Sequence, residues 1–127
     1  MSNKLNGIHI PMNGEPVLVE QHGESAYEFI RAAVGGFIEP VSLSGGTYMY
    51  VNEEGKLLGL PVNKKAMRLC WHNARSLMLS GDFIVGSVIV VGSLDRVGNH
   101  RRLTKEQIAE ISALIAVRDT TTNTEEV

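Results

Sequence analysis

The chain has 127 residues, 43% of them hydrophobic, a length that suits one compact domain with a proper core. Its single cysteine, Cys70, excludes an internal disulfide, and no apolar run is long enough for a membrane span, so the chain reads as cytosolic. The net charge of −2 conceals a lopsided distribution: residues 1–55 carry −5, residues 56–105 carry +7 and residues 106–127 carry −4. A central basic block of this kind points to an anionic partner.

In chain order, Gly7–Ile10 and Pro16–Glu20 alternate like strands around the turn residues Pro11 and Asn13-Gly14, which predicts a hairpin. His9 points away from Ile8 and Ile10 in that pattern and is expected to be solvated. Ser25 opens the first helix with Glu28 as its reciprocal capping partner, and Gly35-Gly36 closes it. Phe37–Leu43 follows as a strand, and Pro40 in its middle assigns it to a sheet edge.

Thr47–Asn52 is rich in β-branched and aromatic residues. The turn Asn52–Gly55 then predicts a short antiparallel return strand over Lys56–Gly59. Pro61 takes the chain out of the sheet. Asn63 is an N-cap for a helix from Lys64 to about Leu79, with Val62 and Met67 as a hydrophobic staple and an apolar stripe that holds Cys70 as an inert buried thiol. Phe83–Val91 reads as a central strand covered on both faces, with Gly86 marking a bulge or close approach. Ser93–Arg102 is a loop or short ribbon turning at Gly98-Asn99. Thr104, with Gln107, caps a last helix, and residues 119–127 form a polar tail expected to be disordered. The expectation is therefore one α+β domain over residues 1–118, a small mixed or antiparallel sheet with about three helices packed mainly on one face.

No phosphate-loop, dinucleotide or nucleophile-elbow motif occurs. His9, His22, His72 and His100 are scattered with one cysteine, so no metal, cofactor or catalytic residue is assigned. The positive signal is the helix after Asn63. Lys64, Arg68, His72 and Arg75 recur at i, i+4, i+8 and i+11 opposite the apolar stripe, with Lys65 beside them. Lys64 and Lys65 also occupy a first helical turn, where the dipole disfavours cations and where free N–H groups would seat a phosphate. Arg101 and Arg102 add a second basic cluster. The candidate ligand-binding set is Asn63, Lys64, Lys65, Arg68, His72, Arg75, Arg101 and Arg102, with Tyr48, Tyr50 or Trp71 available for stacking.

The segments GGFIE (35–39), YVNEEGKLLGLPVN (50–63), DFIVGSVIVVG (82–92) and LTKEQI (103–108) resemble a family of small phage, prophage and plasmid proteins known as domain of unknown function 3846. The resemblance covers roughly residues 16–115 and implies a mobile-element setting; it carries no catalytic or binding residues with it. The combined expectation is a non-enzymatic protein that binds a nucleotide-like anion and sequesters a host antiviral signal. The alternative is a module that docks on nucleic acid or on an acidic protein surface. Exposed strand edges invite self-association into a homo-oligomer.

Overall fold

The computed structural model describes residues 4–119. Its elements run β1 (Asn6–Ile10), β2 (Val17–Glu20), α1 (Ala26–Val34), β3 (Ile38–Ser42), β4 (Tyr48–Asn52), α2 (Lys64–Asn73), α3 (Arg75–Leu79), β5 (Val88–Val91), α4 (Lys105–Ile115) and β6 (Arg118–Asp119). The sheet order is β3-β4-β5-β1-β2-β6. The first five strands are antiparallel, and the two-residue β6 lies parallel to β2. This is an α+β fold.

β5 is the spine of the sheet, and its run of β-branched residues explains why. All four of its side chains are buried on alternating sides: Val88 and Val90 join Ile8, Ile10 and Met49 in one core, while Ile89 and Val91 join a second. The first core is covered by Ala66, Leu69 and Cys70 of α2, Met78 of α3, and Ile111 and Ile115 of α4; the second by Phe29, Ile30 and Val34 of α1. The expectation of helices mainly on one face therefore holds for three of the four, and α1 takes the opposite side. Both predicted capping boxes form, at Ser25/Glu28 and at Thr104/Gln107.

β3 lies at the sheet edge, as Pro40 required. Leu43 N–H donates to Thr47 O and Glu53 N–H to Phe37 O, so the odd residues of this strand face β4. By alternation, the backbone groups of Ile38, Pro40 and Ser42 point outward, and the proline costs the ladder nothing.

Several expectations fail for physical reasons. Lys56–Gly59 does not return as a strand, because β4 is already flanked by β3 and β5. The segment instead coils through turns closed by Leu58 N–H to Glu54 O, Gly59 N–H to Lys56 O and Leu60 N–H to Gly55 O. The helix expected over Lys64–Leu79 breaks at Ala74 (φ −143°, ψ 53°) and restarts as α3. Phe83–Ser87 is not strand apart from a single bridge, Val62 to Val85. Gly86, at φ 77°, turns the chain where a Cβ would fall 2.8 Å from the Leu60 side chain. His9 is half-buried rather than solvated: its Nε2 donates to Ala33 O at 3.0 Å and ties β1 to α1. Of the expected tail, Asp119 belongs to β6, and residues 120–127 lie outside the described residues.

Candidate functional site

Asn63 is 2% exposed, and its side chain is fully engaged. Its Oδ1 accepts from Ala66 N–H at 3.0 Å, and its Nδ2 donates to Ile10 O at 3.0 Å and Gly86 O at 2.8 Å. It fastens the helix start to β1 and to the approach of β5, which leaves nothing for a ligand. Lys65 reaches Glu15 at 3.5 Å. Lys64, Arg68 and His72 stand exposed along α2, with Trp71 41% exposed among them. The break at Ala74 takes Arg75 out of their line and sets it at the mouth of a separate cleft.

Arg101 and Arg102 are elsewhere. Arg102 forms a two-pronged pair with Glu20 at 3.0 and 3.1 Å and also donates to Lys4 O, beyond the start of β1. The Asn63 helix start meets Ile10, the end of the same strand. Six residue steps of extended chain, roughly 20 Å, separate the two anchor points, Lys4 and Ile10. The expected residues are spread over separate cavities: Asn63, Lys64 and Lys65 border one, His72 a second, Arg75 a third, and Arg101 and Arg102 a fourth.

Among the described residues, Lys64, Arg68, Arg75, Arg96, Arg101 and Lys105 form no ion pair with a carboxylate. The aromatic rings set aside for stacking are partly committed. His100 Nδ1 donates to Gly92 O at 2.7 Å, so in the neutral ring Nε2 accepts from the Tyr50 hydroxyl at 2.8 Å, and Tyr48 packs edge-on against the same imidazole. These contacts clamp the Ser93–Arg102 loop to β4, leaving Trp71 as the open ring.

A cleft of about 680 Å³ lies between β3, the α2–α3 junction and the segment Asp82–Val85. Val41, Val51, Ile84 and Val85 line it, together with Glu39, Glu53, Arg75 and the Lys56–Asp82 ion pair. The hydrogen bond from Lys56, followed by one from the Phe83 amide, holds the Asp82 carboxyl below the ordinary carboxylate range. Lys56 Nζ also sits 4.5 Å over the Phe83 ring. Of the residues expected to bind, only Arg75 reaches this cleft. Glu39 and Asp82 carried no sequence signal, being single acids in unrelated segments. Glu53 lay inside the expected turn Asn52–Gly55.

Cys70 is fully buried, which pushes its thiol up to about 11, so it is no nucleophile at neutral pH. Among the described residues, no three His, Cys, Asp or Glu side chains converge as metal ligands, and no helix is long and apolar enough to cross a membrane. No curated protein and no solved structure shows a significant match to the chain. One family model does match, the one described as Domain of unknown function (DUF3846); it spans residues 5–116, nearly the whole of the fold described above, and the chain belongs to that family.

Proposed function

We propose that this protein acts by binding, not by catalysis, and that the exposed face of α2 docks on a carboxylate-rich surface of a partner protein. The layout of the cations carries the reading. Lys64, Arg68 and Trp71 follow one another at i, i+4 and i+7, with His72 alongside, exposed and outside any shared cavity. A small phosphate ligand needs donors that converge, whereas an extended surface meets them along a line. Arginine and tryptophan together are also the residues that dominate protein interfaces. A long nucleic acid would bring its field to bear on the acidic segments flanking the basic block, in a molecule of net charge −2. The family resemblance supports a mobile-element setting, in which the proposed role is that of an accessory protein blocking host machinery or host defence in the cytosol.

One observation favours the second reading, a nucleotide-like ligand. The cleft beside Arg75, at about 680 Å³, is of ligand size. A photo-crosslinking residue placed at position 72 distinguishes the two in bacterial cells. The expected product is a discrete protein adduct that charge reversal at Lys64 and Arg68 removes. A nuclease-sensitive adduct, or thermal stabilisation by mono-, di- or cyclic nucleotides that Arg75→Ala abolishes, would overturn it.

A further inference from the structure

We propose that the open edge of β3 and the cleft beside it bind an extended peptide of a partner protein, added to the sheet as a further strand. This surface is separate from the exposed face of α2. The backbone makes the first half of the case. Ile38 and Ser42 each present an outward N–H and C=O, and Pro40 an outward C=O, with no hydrogen-bond partner among the described residues. A peptide laid along them gains a ladder that depends on no particular side chain, and the neighbouring cleft supplies selectivity.

The side chains make the second half. Glu39 pairs with Val51 and Val41 with Met49, and both partners pack toward α2, so Glu39 and Val41 share the sheet face that opens into the cleft. Glu53 borders the same cleft, and neither glutamate has an ion-pair partner among the described residues. An added strand places its alternate residues on that face. The complementary peptide therefore carries a lysine or arginine opposite Glu39 and an apolar residue two positions away, over Val41.

Pro40 argues for a foreign peptide over a second copy of this chain. Two β3 edges paired symmetrically about Pro40 would set two residues without N–H groups against each other and lose both bonds of that pair. A peptide with any other residue there loses one.

The test is selection from a random peptide library displayed on phage, followed by amide exchange on the bound protein. The expected peptides protect the Ile38 and Ser42 amides, which exchange freely without peptide, and leave those of Glu39 and Val41 as they were. N-methylation at every second peptide residue weakens binding about tenfold per site, and methylation between those sites does not. Glu39→Lys abolishes the preference for a basic residue. The proposal is overturned if no peptide is enriched, if binding ignores backbone methylation or Glu39→Lys, or if Ile38 and Ser42 become protected with rising protein concentration alone, which would assign the edge to a second copy.

Discussion

Asn63 holds three parts of the chain together: the first turn of α2, the end of β1 and the bend at Gly86. Replacing it with alanine removes all three hydrogen bonds and strands two buried carbonyls. The expected loss is about 3 kcal/mol, read as a lowered urea midpoint at unchanged slope. Asn63→Asp keeps the cap oxygen but sets a second, acceptor-only oxygen against the Ile10 and Gly86 carbonyls, so it should recover none of that loss at neutral pH. His9 makes a different kind of prediction. Burial holds its imidazole below its ordinary pKa of 6.5, against the opposing pull of the Ala33 carbonyl. The folded state therefore takes up the proton later than the unfolded chain. Its contribution is fully present above about pH 6.5 and is lost as the pH falls through the lowered folded value. Denaturation midpoints across that range should fall more steeply for the native chain than for His9→Asn.

At the scale of elements, α2 carries a conflict between stability and purpose. Its first turn has two lysines and no acid, against the dipole of its own backbone. Lys64→Glu should raise the stability of the free protein by ~0.5 kcal/mol while weakening attachment to an acidic partner. A melting curve and a crosslinking yield that move in opposite directions would show it; a yield unchanged by the substitution would detach the proposed function from this helix. The caps that define α1 and α4, and the proline that consigns β3 to the edge, were legible because each acts through a few neighbouring residues. The interruption at Ala74 was not, because neither glycine nor proline marks it. The expected return strand at Lys56–Gly59 failed on a fact absent from its own residues: the place beside β4 belongs to β5.

For the molecule as a whole, the same limit explains the site. The periodicity of α2 showed which cations share a face. It could not show that Arg75 leaves that face, that Asn63 is consumed internally, or that Arg101-Arg102 lie beyond the opposite end of β1. The cleft assembles Glu39, Glu53, Arg75 and Asp82 from segments that meet only when the sheet closes. That closure has its own order. The strand between the two hairpins is β5, so β1–β2 and β3–β4 share no ladder until residues 88–91 join them. During synthesis the first half of the chain emerges as two ribbons with no seam between them, and the late strand stitches them together. A ribosome-bound chain halted before Val88 would therefore expose the apolar faces of both ribbons, and the earliest moment at which this protein could engage anything as a folded body falls late in its own translation.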